Sequence, residues 1–267
     1  MMKGLSPTIH AENILSGMRV AHARIMPNAH LQNNYKDAGD PENFTFGHTK
    51  FVTMEEAKEI LMATFLRTRP AADNSTAFQP IILIGHAVSN FFEHVKHSFG
   101  INLQSYDTII KVIDTQNLAK DMNMYGPKGP NISLQDLLAH FKLRLPNLHT
   151  AGNDAAGTLI AAVLTSLRDD IYMHGIPQAV VVNRDIQDVV ECVQALGKSL
   201  PAPPWGREKF CTKCDRENHG RHECRAKVLC LKCAHSGVVK LCRSRKTHKT
   251  SKCAYQYQEL PTKDYNV

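Results

Sequence analysis

The period of the apolar positions changes several times before residue 200, and each change predicts an element. Met18 to Met26 alternates: Ala21, Ala23 and Ile25 face one way and Met18, Val20 and Met26 the other, with His22 and Arg24 between them, which predicts a strand. Asn34 to Asn43 is loop chemistry, rich in Asn, Asp, Gly and Pro. Thr53-Met-Glu-Glu56 is a capping box, and Ala57, Ile60, Leu61, Thr64 and Phe65 then recur at helical spacing. Residues 70–79 form another polar loop. Pro80 to His86 carries the unbroken apolar run of a strand buried on both faces, followed by a helix with Phe92, Val95 and Phe99 on one side. Ile109 to Asp114 repeats that signal and feeds a helix from Leu118. Ser133 caps a further helix. Asn153 to Met173 reads as a long helix packing through Ala155, Leu159, Ala162, Val163, Ser166 and Leu167. Gln178 to Asn183 is another strand candidate. Cys192 lies on an apolar helical stripe and reads as core.

Buried strands alternating with helices predict an α/β layer with a partly parallel sheet. At Lys198 to Arg207 the pattern stops, because three prolines in four residues neither continue a helix nor pair in a central strand. The expected organisation is therefore a globular region over 1–197, a linker over 198–207, a small module over 208–254 and a tail over 255–267. The longest apolar runs, such as Ile81 to Ile84, fall far short of the roughly 18 residues of a membrane span. The opening residues lack the apolar core of a signal peptide, so the expected location is cytoplasm or nucleus rather than secretion.

Charge and cysteine change the picture at the C-terminal end. Of 267 residues with net charge +7, the segment Gly206 to Ala254 holds 14 Lys/Arg against 4 Asp/Glu. The residues before it are slightly acidic in sum. Seven of the eight cysteines lie between Cys211 and Cys253. Segregated positive charge in a Cys/His-rich segment points to a polyanion, with nucleic acid as the first expectation.

The spacing Cys211-x2-Cys214-x4-His219-x4-Cys224 is that of a CCHC zinc knuckle. Zinc takes four soft or borderline ligands in a tetrahedron, and two cysteines three apart clamp it from one tight turn. The metal then folds a segment that has no apolar core of its own. Cys230-x2-Cys233 and His248-x4-Cys253 repeat the two halves with 14 residues between them, including His235 and Cys242. The expected second set is Cys230, Cys233, His248 and Cys253, with Cys242 as the rival ligand. Two Zn2+ ions are thus expected. Lys213, Arg216, Arg221, Arg225, Lys227, Arg243, Arg245 and Lys246 are candidate phosphate contacts. Knuckles of this kind contact single-stranded nucleic acid. The aromatic platforms Trp205, Phe210, Tyr255 and Tyr257 flank the module rather than punctuate it, which leaves a zinc-stabilised protein-interaction surface as the alternative.

In the globular region His149 precedes Asp154 by five residues at a helix start, an arrangement that brings a general base and a Mg2+- or Mn2+-binding carboxylate over one water. An N-terminal charge on a helix is the plainer explanation of Asp154. Four segments occur in order: Ile-Leu-Ile-Gly-His-Ala-Val-x-Asn (82–90), Val-Ile-Asp-Thr-Gln (112–116), Ser-Leu-Gln-Asp-Leu-Leu (133–138) and His-x-Ala-Gly-Asn-Asp-Ala (149–155). Over about residues 18–170 the chain resembles the ribonuclease H-like 3′–5′ exonuclease family, DEDD type with a catalytic His, in its fungal branch. The resemblance implies a mixed sheet flanked by helices, with carboxylates holding two metal ions for in-line phosphodiester hydrolysis. It implies that Asp154 corresponds to the last acidic ligand, His149 to the general base, and Asp114 to a position that is not a ligand.

The departures are as informative. The family's first strand carries Asp-x-Glu, and nothing of that form precedes Met18, so the first strand is expected to be missing. Asp40-Pro-Glu42 has the spacing but lies in a Gly/Pro/Asn loop. The second acidic position reads Phe91, and Glu93 is about 200° further around the helix. Three of the four metal carboxylates thus lack counterparts. The expected function is nucleic-acid and zinc binding by a degenerate exonuclease-like domain. An active metal-dependent 3′–5′ exonuclease and a zinc-dependent protein-interaction factor are the alternatives.

Overall fold

In the computed structural model, which describes residues 9–31, 38–70, 76–167 and 185–253, several helices begin at side-chain caps. Thr53 and Glu56 close the predicted box: the Thr53 N–H donates to Glu56 Oε2 at 2.8 Å and the Glu56 N–H donates to Thr53 Oγ1 at 3.0 Å. The helix α2 follows, Met54–Phe65. It comes after α1 (Ile9–Ser16), β1 (His22–Ile25) and β2 (Thr49–Val52). Next are β3 (Thr68–Pro70), β4 (Thr76–Phe78), β5 (Ile81–Gly85), α3 (Phe91–Phe99) and β6 (Ile109–Asp114). Then come α4 (Thr115–Asp121), α5 (Leu134–His140), α6 (Ala151–Ser166) and α7 (Ile186–Ser199). Ser133 caps α5, accepting from the Asp136 N–H, and Asp185 caps α7 from the Gln187 N–H. The alternating stretch from Met18 forms a strand only over β1, because Met26-Pro-Asn28 turns into a 3-10 helix with proline in its first turn.

The described strands pair two by two, β1 with β2, β3 with β4 and β5 with β6. β3 and β4 are antiparallel, whereas β5 and β6 run parallel, with Leu83 opposite Val112 and Gly85 opposite Asp114. The architecture is therefore mixed α/β with a small parallel sheet. Asp114 stitches its C-terminal end. Its carboxylate accepts the N–H groups of Ala87 at 3.1 Å, Val88 at 3.0 Å and Gln116 at 2.9 Å. That one side chain caps α4 and pins the turn leaving β5.

Four expectations need correcting. The polar loop expected over 70–79 holds the strand β4, because Thr76 to Phe78 pairs back onto β3. β5 and β6 are not buried on both faces: Ile82 is 55% exposed and Ile110 64%. Among the described residues no third strand pairs with β5 or β6, and a two-stranded sheet covers only what packs on it. Helix α6 packs through part of the predicted stripe, Leu159, Ala162, Val163 and Leu167, but Ser166 is exposed and the buried surface is wider than one stripe. Ala155 is exposed, while Gly152, Ala156, Gly157, Ile160, Ala161 and Leu164 are buried, because small residues let neighbours approach from several sides. Cys192 is exposed, not core. The buried stripe of α7 is Ile186, Val189, Val190 and Val193, and at 100° per residue Cys192 lies about 110° from its centre. The expected strand Gln178 to Asn183 and the far end of the 153–173 helix lie outside the described residues.

The chain divides into two compact units. The first comprises residues 1–22, 34–49 and 57–204. Its main core joins Leu15, Phe46, Ile132, Leu137, Leu138, Ile160 and Val190, and a second cluster packs Phe65, Val95, Ile101 and Leu103 beneath β5 and β6. The second unit takes segments 23–33 and 50–56 together with residues from 205 onward. The Cys/His-rich segment thus shares a unit with two short pieces from far upstream.

Candidate metal centres and a histidine–aspartate pair

The second unit is built on a non-local pairing. Phe51 and Arg207 exchange both backbone hydrogen bonds at 2.8 Å. The turn into that pairing needs Gly206, whose φ is +69° and whose added Cβ would lie 2.8 Å from the Phe51 oxygen. Phe51 then meets Phe210 with ring centroids 5.7 Å apart, and Met26 and Ala29 complete a small core. Arg24 lies over the ring of Phe51 and the Lys252 ammonium lies over Phe210, 5.2 and 4.6 Å from the ring centres. Arg207 pairs with Glu56 and, at 3.2 Å, with Glu217, which holds its guanidinium charged. Phe210 immediately precedes the first cysteine, so this core sets the base on which that turn stands.

Cys211, Cys214, His219 and Cys224 place one ligand atom each within 4.8 Å of one another. Cys214 Sγ and His219 Nε2 are 3.4 Å apart. The other ring nitrogen of His219 faces Asn218 Oδ1 at 2.7 Å, which orients the imidazole. The turn is held by the Cys211 N–H on the Arg216 oxygen and the Asp215 N–H on the Cys211 oxygen. Cys230, Cys233, His248 and Cys253 form a second group of the same compactness. Cys233 Sγ is 3.7 Å from His248 Nε2 and 3.6 Å from Cys253 Sγ. A tetrahedral zinc with Zn–S bonds of about 2.3 Å puts its sulfurs roughly 3.8 Å apart, so both donor sets have the size of a zinc shell. No disulfide joins any of the eight cysteines. Cys242 stands outside the second group, 3.8 Å from Ser236 Oγ and from the Ala234 oxygen. His235 is exposed and also outside it.

Thiol electrostatics fit a cation. The His219 hydrogen bond lowers the Cys224 thiol to about 6. Burial, then the neighbouring Cys253 and Cys230, push Cys233 up to about 12. Within each group a second thiol shifts the opposite way: burial raises Cys211 beside Cys224, and against burial hydrogen bonds lower Cys230 beside Cys233. A cluster in which one thiolate forms readily and the next is resisted gains most from a divalent charge at its centre.

Of the candidate phosphate contacts, Arg216, Arg221, Arg225, Lys227, Arg243, Arg245 and Lys246 are exposed and Lys213 is half-buried. Arg245 also donates to the Cys242 oxygen at 2.7 Å. Other cations of the unit are committed internally. Asp215 binds Lys249 at 2.9 Å and Lys252 at 2.6 Å, and Lys252 is only 6% exposed. Burial works against the Asp215 charge, yet the two ammoniums hold its carboxyl below the usual range.

The first unit gathers His86, His149 and Asp154. The His149 N–H donates to Asp154 Oδ1 at 2.8 Å, with His149 in the left-handed region at φ 63°. Burial raises the Asp154 carboxyl above its ordinary value, while His149 and His86 act the other way. His86 sits in the Gly-His segment of residues 82–90. Its Nδ1 meets Thr115 Oγ1 at 2.7 Å, its Nε2 is buried, and burial keeps the ring neutral below the usual imidazole range. A half-buried ring reached by the field of Asp154 could be recognised only in three dimensions, since 68 residues separate them. Phe91 packs its ring on Phe65 and Phe92, at 6.5 and 5.4 Å between centroids, and Glu93 is exposed. Asp40 and Glu42 form a tight turn, the Glu42 N–H on Asp40 Oδ1. Among the described residues, no group of three or more His, Cys, Asp or Glu with metal-ligand spacing includes Asp154. The donor set described around Asp154 therefore does not fit a pair of divalent ions, which need several converging oxygens.

Residues 1–165 match the family model described as DNA polymerase III subunit epsilon-like, C-terminal domain. The Cys/His-rich segment lies beyond that match. Among curated proteins, an uncharacterised nucleolar protein of Schizosaccharomyces pombe is 32% identical over 141 residues, 51% of this chain and 52% of that protein. The chain thus spans about half the length of the curated relative it matches.

Proposed function

The chain belongs to the DNA polymerase III subunit epsilon-like C-terminal domain family, and we propose that it is a zinc-containing nucleic-acid-binding protein. In this reading an exonuclease-like domain of ribonuclease H type serves recognition and the basic metal unit supplies most of the affinity. The observation that carries the proposal is the pair of Cys3His groups within one unit whose exposed surface is dominated by Arg and Lys. Cys211, Cys214, His219 and Cys224 hold one Zn2+, and Cys230, Cys233, His248 and Cys253 hold the other. The ions fix the fold of the segment. The arginines and lysines around them contact phosphates, which gives affinity with little sequence preference. Scarce aromatic platforms among the described residues of the unit favour backbone contacts over base stacking on a single strand. The nucleolar relative supports a nuclear location. No described helix is long and apolar enough to cross a membrane.

Catalytic impairment follows from the half-site. Asp154 and His149 remain in contact, but Phe91 puts an aromatic ring where the family resemblance calls for a carboxylate. The retained pair nevertheless gives the 3′–5′ exonuclease reading a definite test. End-labelled single-stranded RNA and DNA are incubated with Mg2+ or Mn2+ and either the native chain or Asp154→Asn. The expected result is bound, salt-sensitive and uncut substrate with both proteins. Stepwise 3′ shortening by the native chain that disappears in Asp154→Asn would establish the enzyme instead.

A further inference from the structure

Asp215 occupies a position that neither metal site requires for its own ligands. It directly follows the ligand Cys214, and its N–H is held 2.9 Å from the Cys211 oxygen, in a left-handed conformation at φ 68°. The Cys211–Cys214 turn thereby fixes where its carboxylate points. That carboxylate spans to the other site. Oδ2 receives Lys249 Nζ at 2.9 Å and Oδ1 lies 2.6 Å from Lys252 Nζ. Lys249 directly follows the ligand His248, and Lys252 directly precedes the ligand Cys253 within the short 3-10 turn Thr250–Lys252. Lys252 is buried and lies over the ring of Phe210, the residue before Cys211. Each side of the ion pair is thus one residue from a ligand, and the two sides belong to different metal sites.

We infer that Asp215 couples the two metal sites, so that filling either one raises the affinity of the other. A metal at the first site sets the turn that aims the carboxylate. A metal at the second sets the turn that presents the two ammoniums. The ion pairs, and the cation over Phe210, form fully only when both turns are ordered. Their free energy is therefore shared between the two binding events, and linkage makes the effect reciprocal. The inference goes beyond nucleic-acid recognition and does not depend on it. Asp215 acts here as a positioning residue, not as a ligand.

The test uses the full chain stripped of metal and titrated with Co2+, whose visible absorption in Cys3His sites reports occupancy directly. Asp215→Asn is the informative variant, because Asn tolerates the left-handed conformation while the charge is removed. In the native background, disabling the first site by Cys224→Ser should weaken Co2+ binding at the remaining site about tenfold, within the usual range of coupling between sites. In the Asp215→Asn background the same change should cost less than about twofold. Lys249→Gln with Lys252→Met, approaching the contact from its other side, should abolish the coupling equally in the steepness of the full two-site titration. Equal Co2+ affinity at the second site with and without Cys224, in the native background, would overturn the inference. So would coupling that survives unchanged in both Asp215→Asn and the double lysine variant. Failure of the chain to bind nucleic acid would leave these optical readings unaffected, so the two proposals fail separately.

Discussion

His86 and Asp154 are shifted in opposite directions by the same cause, burial of a charge-bearing group. The neutral form of His86 is favoured in the fold, so the unfolded chain takes up that proton first. Its contribution to stability is complete above about pH 6.5 and is lost as pH falls below that through the lowered native value. Asp154 works the other way, since its raised native value makes the folded chain the better proton acceptor above pH 3.8. An imidazole resonance of His86 followed by NMR should therefore titrate below 6.5, and His86→Gln should flatten the decline in unfolding free energy just below pH 6.5. A normal imidazole titration would mean that burial does not govern the His86 ring. In the other unit, Phe210 is the residue whose loss should cost most. It packs on Phe51 and carries Lys252, and truncation of a buried Phe typically costs about 3 kcal/mol or more. Phe210→Ala should show that loss in urea unfolding of the zinc-loaded chain. These pairings join positions too far apart in sequence for spacing to find, whereas the ligand quartets are themselves spacings, which is why they could be read in advance.

Caps made the elements legible. Thr53 with Glu56, and Ser133, sit where a side chain reaches an orphan helix N–H, a relation confined to four residues of sequence; Asp185 does the same for α7 but is not among the caps predicted from the sequence. Burial was less legible. An unbroken apolar run predicts a strand covered on both faces, but Ile82 and Ile110 are open because coverage depends on which other strands are present. Cys192 failed for a narrower reason: a stripe of four apolar residues does not extend to everything between them. Asp114 is the strongest test at this scale. It satisfies three backbone N–H groups across two connections, so Asp114→Ala should destabilise the first unit by about 2–3 kcal/mol, while Ser133→Ala, one cap, should cost about 1 kcal/mol. Thermal unfolding of both variants checks the order. Equal losses would mean that the Asp114 bonds are replaced by water.

For the whole molecule, the charge segregation and the run of cysteines pointed to a metal-bearing basic module, and two compact ligand groups stand in that segment. What the sequence did not disclose is that residues 23–33 and 50–56 belong to the same unit. The reason is the Phe51–Arg207 pairing, a contact across more than 150 residues that no periodicity marks. Family membership covers the first 165 residues and leaves the metal unit to be explained by its own chemistry. That chemistry gives the central claim, that zinc-ordered basic groups hold a nucleic-acid backbone. The most direct measurement is the affinity for a short single-stranded RNA or DNA over a range of salt, before and after chelation of zinc. With several phosphates engaged, log affinity should fall linearly with log salt at a slope of about −3, near 0.7 per contact on a single strand, and chelation should abolish binding. Affinity indifferent to salt, or unchanged after the zinc is removed, would contradict the account.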